Sequence, residues 1–329
     1  MGSRLLPLSA AFLSLVLLAS LSPAPPAHAQ ERPVYLALGD SLAVGIGASS
    51  PSTMGYVARA YGSLRTSERY RDGGLDLVNV SVAGATSADL VQAGGQLDLA
   101  FAEITDRRES GPAGDDVEII SVDIGGNDLL SLVSPDSPCL ESASVEPCRA
   151  AFGKVLSVIQ TNLGDTLLRL RNAAPDAIIV AVDLYNPYSG TGDLREPIAE
   201  IGVGQANGVI GAVTADPELR VKTASVFQLF SGRGLQWIAP DGIHPNDNGH
   251  AVIAEALLAA IDDREPAIPD DLLAVSPGAT LPPADVGSSS NARSDDNGVS
   301  ATLFAVAIAV AFAAGVAISA AYFFARGRA

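Results

Sequence analysis

This chain is short of the residues that build metal centres and basic surfaces. Its 329 residues include three histidines, two cysteines, one tryptophan, and 20 lysines and arginines against 37 acids. Three histidines are too few for a His-rich metal cluster, although carboxylate-only sites remain open. Lysine and arginine form no run, so the clustered cations that neutralise phosphates are missing, and with them nucleic-acid binding. Disorder throughout is excluded as well. Hydrophobic residues make up 48% of the chain and charged residues only 17%, enough apolar surface to build a core.

Two long apolar stretches, one near each end, change this arithmetic. Residues 1–29 carry a positive start at Arg4, an apolar run from Leu5 to Leu21, a Pro-rich exit and Ala27-His28-Ala29. That is the pattern of a secretory signal cut after Ala29, with an N-terminal anchor as the alternative. The second stretch, Ala301 to Ala325, has no charge and ends at Arg326 and Arg328. At about 1.5 Å per residue it exceeds a roughly 30 Å hydrocarbon core, so it reads as a transmembrane helix with residues 326–329 as a cytoplasmic tail. Residues 265–300, rich in Pro, Ser, Asp and Gly, read as a flexible linker. These expectations put residues 30–264 outside the membrane, extracellular or periplasmic. Between the two ends lie 37 acids and 17 bases, a net charge of −20, which disfavours strongly anionic partners. Only His244 and His250 remain after cleavage.

The block 30–264 is long enough for one large core. Apolar runs at Val34–Leu38, Leu75–Val80, Val117–Ile124, Ala177–Leu184 and Val221–Phe227 read as strands covered on both faces. Amphipathic stretches at Met54–Thr66, Ser87–Glu103, Ala150–Ala173, Ile198–Val213 and Asp247–Ile261 read as helices. The alternation argues for an α/β domain with a doubly wound parallel sheet. Thr86 and Asp89 have the spacing of a capping box. In an exported chain, Cys139 and Cys148 read as one disulfide closing a short loop.

Ligands of open α/β sheets bind beyond the carboxyl ends of the strands. Four groups of residues fall there: Gly39-Asp40-Ser41-Leu42, Ala83-Gly84-Ala85, Gly125-Gly126-Asn127-Asp128, and Asp241-Gly242-Ile243-His244-Pro245-Asn246. A serine needs a base to become a nucleophile, and histidine is the natural one near neutral pH. Asp241 precedes His244 by one turn and can orient it. The N–H groups of Ser41 and Gly84 and the side-chain amide of Asn127 are the candidate donors to an oxyanion. No Gly-x-Ser-x-Gly occurs, so the nucleophile elbow of an α/β-hydrolase is missing.

These four blocks, in this order, resemble the SGNH/GDSL family of esterases and lipases from about Val34 to Ile261. The resemblance implies a three-layer, flavodoxin-like fold. It implies Ser41 as nucleophile, His244 as base, Asp241 as its orienter, and an oxyanion hole formed by Ser41, Gly84 and Asn127. All five positions match. The cysteine-bearing insertion and the C-terminal helix lie outside the pattern. The implied activity is ester hydrolysis without a cofactor or metal. The substrate class stays open among lipids, simple esters and acylated glycans, and the oligomeric state is not readable. The membrane is the expected partner, through the C-terminal helix.

Two other readings remain. Asp40, Asp128 and Asp241 could serve a carboxylate-metal hydrolase, or the domain could bind glycans or lipids without catalysis. Among single residues, Asp40 and Asp128 read as loop braces and His250 as a solvated residue at a helix start. Trp237 and Tyr188 read as core or crevice aromatics. The loop 186–192 is a candidate wall of the acyl pocket.

Overall fold

The computed structural model describes residues 32–72, 74–110, 116–133, 139 and 145–273. The expected signal segment, the transmembrane segment 301–325, the tail 326–329 and most of the linker lie outside these residues. No helix among the described residues is long and apolar enough to cross a membrane.

Five strands form one sheet: β1 Val34–Gly39, β2 Asp76–Asn79, β3 Val117–Asp123, β4 Ile178–Val182 and β5 Val221–Ala224. All neighbours are parallel, in the order β2-β1-β3-β4-β5. This is the flavodoxin-like order, whose switch point lies between β1 and β3. The helices are α1 Ser41–Val44, α2 Pro51–Met54, α3 Tyr56–Leu64, α4 Ser87–Val91, α5 Gln96–Ser110, α6 Gly126–Leu130, α7 Val145–Ala173, α8 Glu196–Thr214, α9 Phe227–Phe230, α10 Gly234–Trp237, α11 Asp247–Ile261 and α12 Asp270–Leu273.

The strands are apolar on both faces because both are covered. In β1, Tyr35 and Ala37 pack with Val57 and Ala60 of α3 and Val252, Ile253 and Leu257 of α11. Val34, Leu36 and Leu38 point the other way, towards Leu90 of α4, Leu97 and Ile104 of α5, and Leu163 and Leu167 of α7. The period of two in the strand thus separates two helical layers.

Three expectations change. The helix read over Ser87–Glu103 is two helices, α4 and α5, broken at Gly94 (φ 74°) and Gly95. A Cβ on Gly95 would lie 2.6 Å from the Asp89 carbonyl oxygen, so the break depends on glycine. The helix read over Met54–Thr66 is likewise divided at Gly55 into α2 and α3. Finally, packed chain continues past residue 264 through α12. Leu272 and Leu273 lie against the core, and the buried Trp237 indole donates to the Leu272 carbonyl at 3.0 Å.

Candidate active site

The capping box at α4 is present, with Thr86 and Asp89 serving each other's backbone. Cys139 and Cys148 form a disulfide at the start of α7. They fix the elements around the crevice.

At the end of β1 the chain turns sharply at Gly39 (φ 154°) and enters α1 at Ser41. Asp40 caps α1 by accepting the Leu42 N–H at 2.9 Å. Gln96, almost fully buried at the start of α5, accepts the Gly39 N–H and donates to the Gly39 carbonyl, each at 2.8 Å. Both backbone groups of the turn before Ser41 are therefore held by one side chain from another element.

The fourth block closes onto the first. His244 Nε2 lies 2.9 Å from Ser41 Oγ, and His244 Nδ1 lies 2.6 Å from Asp241 Oδ2. Asp241 Oδ1 accepts the N–H groups of Ile243 and His244, both at 3.0 Å. Partial burial opposes the Asp241 charge. These donors and the imidazole outweigh it and hold the carboxyl below its ordinary range.

Several ties seat the histidine loop. Ala239 N–H donates to the His244 carbonyl at 2.7 Å, and Tyr185 hydroxyl to the Ile243 carbonyl at 2.8 Å. Asn246 caps α11 by accepting from Asn248 and Gly249. Gly47, at φ 92°, passes so close that a Cβ would lie 2.3 Å from the Pro245 carbonyl oxygen and 2.8 Å from His244 Cβ. Ser49 bonds Asp247 through its N–H at 2.8 Å and its hydroxyl at 2.6 Å.

The second and third blocks supply the other wall. Gly84 has φ 81°, and nothing lies within 4 Å of where a Cβ would sit. Its N–H and that of Ser41 have no internal acceptor among the described residues. The Asn127 amide nitrogen donates to Asp40 Oδ2 at 3.2 Å and to the Ala85 carbonyl at 2.9 Å. Both amide protons are thus engaged in the resting site, a feature the sequence did not disclose. Asp128 braces α4 by accepting from Ser87 N–H at 2.8 Å and Ser87 hydroxyl at 2.7 Å. Beyond it opens a cavity of about 310 Å³ walled by residues that include Leu132, Val155 and Val158, with Lys154 at the same wall.

The structure joins Ser41, His244 and Asp241 directly, ties Asn127 to Asp40 and to the Ala85 carbonyl one residue past Gly84, and gives each carboxylate of the metal reading other partners. Asp128 is engaged by Ser87, Asp241 by His244, and Asp40 by Leu42 and Asn127. Among the described residues, no group of three or more His, Cys, Asp or Glu could hold a metal ion.

One single-residue expectation is corrected. His250 is not a solvated surface residue but fully buried. Its Nδ1 accepts the Tyr56 N–H at 3.2 Å and its Nε2 bonds the Ile46 carbonyl at 2.9 Å. Burial lowers its pKa, so it is a neutral strut under the loop that follows Ser41. Trp237 is core. Tyr188 stacks under the Arg195 guanidinium, 4.2 Å from its ring centre. The loop 186–192 is pinned to the chain near residue 232, where Gly232 N–H donates to Ser189 Oγ at 2.9 Å.

Residues 37–252 match the model of the GDSL-like lipase/acylhydrolase family. The chain belongs to that family. This GDSL-like hydrolase acts on carboxylic esters. It is 24% identical over 230 residues to the spore germination lipase LipC of Bacillus licheniformis, covering 69% of this chain and 95% of that one. It also shares its fold with the crystal structure of the lipase Lip_vut3 from a goat rumen metagenome. That likeness has a TM-score of 0.53 and 22% identity, covering 69% of this chain and 97% of the other.

Proposed function

We propose that this GDSL-like hydrolase works through an acyl-enzyme on Ser41. The observation that carries the reading is the unbroken relay Asp241–His244–Ser41, with 2.6 Å and 2.9 Å links. His244 Nε2 takes the hydroxyl proton as Ser41 Oγ bonds to the ester carbonyl carbon. The carbon–oxygen bond to the alcohol then breaks, and the imidazolium returns the proton to the leaving oxygen. Water repeats the sequence and releases the acid, freeing Ser41. Asp241 fixes the imidazole tautomer and stabilises the imidazolium.

The developing oxyanion takes the free N–H groups of Ser41 and Gly84. From Asn127 it draws the amide proton whose resting bond, to Asp40, is the longer of the two. The substrate is a lipid, a simple ester or an acylated glycan. We place the domain on the outer face of a membrane, exported by residues 1–29 and held by the helix 301–325. The apolar runs and flanking arginines support that placement.

Hydrolysis of p-nitrophenyl esters of increasing acyl length tests the reaction and ranks the substrate classes. Ser41→Ala should abolish turnover and prevent labelling by a fluorophosphonate. Full hydrolysis by Ser41→Ala would reject the acyl-enzyme. Absence of labelling in the wild-type protein would point to a silent binding domain. Fractionation of cells expressing the full chain, followed by protease treatment of intact cells, tests the placement.

A further inference from the structure

Two side-chain amides that the reaction above does not use make the same pair of bonds. The backbone N–H and carbonyl of a residue at the end of a parallel strand need partners where the ladder stops. Gly39, the last residue of β1, has both bonded to Gln96 of α5, at 2.8 Å each. Leu184, two residues past β4, has both bonded to Asn207 of α8. Asn207 Oδ1 accepts the Leu184 N–H at 2.8 Å, and Nδ2 donates to the Leu184 carbonyl at 2.7 Å. An amide presents one acceptor and one donor side by side, so it stands in for a neighbouring strand, and only one of its two orientations fits.

Each clamped residue leads directly to the site. The Gly39 carbonyl that receives Gln96 also receives the Val82 N–H at 3.1 Å. Ser41 follows Gly39 by two residues, and Gly84 follows Val82 by two. The turns that carry both backbone oxyanion donors therefore start from a single carbonyl. Leu184 precedes Tyr185, whose hydroxyl holds the Ile243 carbonyl next to His244 at 2.8 Å. The Tyr185 ring stacks on Phe230, with 4.6 Å between centres. One clamp thus stands behind the nucleophile and the other behind the base.

Neither amide is explained by its own helix. Gln96 is 2% exposed at the start of α5, and a polar side chain so buried is costly unless it is bonded. Asn207 lies inside α8, where asparagine is a poor helix former. The bonds to Gly39 and Leu184 account for both.

We propose that Gln96 and Asn207 are positioning residues for ester hydrolysis: Gln96 sets the Ser41 turn against the Gly84 turn, and Asn207 sets Tyr185 against the histidine loop. The proposal rests on the reading of Ser41 as nucleophile and His244 as base. Each amide acts through the backbone it holds.

The test compares kcat and KM on one p-nitrophenyl ester, together with the rate of Ser41 labelling by a fluorophosphonate. Gln96→Met keeps the length and loses both bonds. It should lower kcat about ten- to a hundredfold at nearly constant KM and slow the labelling in step. Asn207→Leu keeps the size and favours the helix, yet should lower kcat about tenfold at nearly constant KM. Tyr185→Phe should do the same. The Asn207→Leu/Tyr185→Phe double variant should be no worse than the weaker of its two parents, because both changes act through one hydroxyl.

Full kcat in Gln96→Met or Asn207→Leu, a loss confined to KM, or multiplying losses in the double variant would each overturn the proposal. Ser41→Ala in the same assay keeps the two readings apart. If it hydrolyses fully, the acyl-enzyme fails; if it is dead while the clamp variants keep full kcat, only the clamps fail. Thermal melts establish folding. If Gln96→Met does not fold, Gln96→Asn replaces it, one methylene too short to hold both groups without moving the turn. If Asn207→Leu does not fold, Asn207→Asp replaces it, keeping the acceptor for Leu184 N–H and losing the donor. Either replacement should lower kcat at constant KM, and unchanged kcat there would overturn the proposal.

Discussion

Asp241→Asn exchanges one oxygen for an amide, and the loop dictates where that amide goes. Oδ1 receives two backbone N–H groups and Oδ2 receives the imidazole. The asparagine preserves the loop only with its carbonyl on Ile243 and His244 N–H, so its NH2 falls on His244 Nδ1. A donor facing a donor drives the imidazole to the tautomer protonated at Nε2. That nitrogen, 2.9 Å from Ser41 Oγ, then has no lone pair for the serine proton. The opposite orientation points an NH2 at two N–H groups and opens the loop. A mis-set tautomer together with an unsupported imidazolium costs on the order of 10³–10⁴ in kcat, about 4–5.5 kcal/mol. The Asp241 side chain is 44% exposed, and solvent screening places the loss at the lower end of that range. Steady-state hydrolysis of p-nitrophenyl acetate measures it, and a melting curve within a few degrees of wild type shows an intact fold. An Asp241→Asn enzyme with more than a tenth of wild-type kcat would refute the argument.

Other substitutions probe the supports. Gly47→Ala should push the His244 loop away from Ser41 and lower kcat at least about tenfold, as read by the same assay. Asp183 is pushed up to about 6 by burial, only partly offset by the Val226 and Phe227 N–H groups. Its folded form keeps the proton after the unfolded form has lost it, so it destabilises the protein as pH rises from about 4 to 6. Asp183→Asn should therefore be more stable by roughly 2–3 kcal/mol at pH 7 and show no gain below pH 4, by urea denaturation. His250 is held neutral, so below about pH 6.5 the unfolded chain protonates first and stability falls. Melting temperatures between pH 7 and 5 should drop more steeply for wild type than for His250→Gln, and parallel slopes would contradict the buried-neutral assignment.

The crevice was legible because each of its blocks is compact in sequence and sits at a strand end. Asp241 and His244 are one turn apart, and Ser41 follows its strand directly. The supports were not legible because each is defined by a distant partner. Gln96 looks like an ordinary polar residue until the Gly94-Gly95 break brings it to Gly39, 57 positions earlier. His250 reads as solvated at a helix start, yet that turn of α11 faces inward onto Ile46, 204 positions away. Asp123 sits at the end of an apolar strand, and only folding shows that Asp40 and Tyr56 close over it. The segment after residue 264 has a linker's composition. Its few apolar residues, Ile268, Leu272 and Leu273, are enough to dock it.

The proposed nucleophile and base stand 203 positions apart. A chain emerging from the ribosome presents Ser41 early, without a base. Only when β5 has joined the sheet, α11 has docked and Leu272 has reached the Trp237 indole does the histidine loop have its seat. On the proposed mechanism, the enzyme is inert until that seat is complete. Hydrolytic activity should then report that the chain through α12 has docked, so a premature stop before residue 272 should yield an inactive fragment.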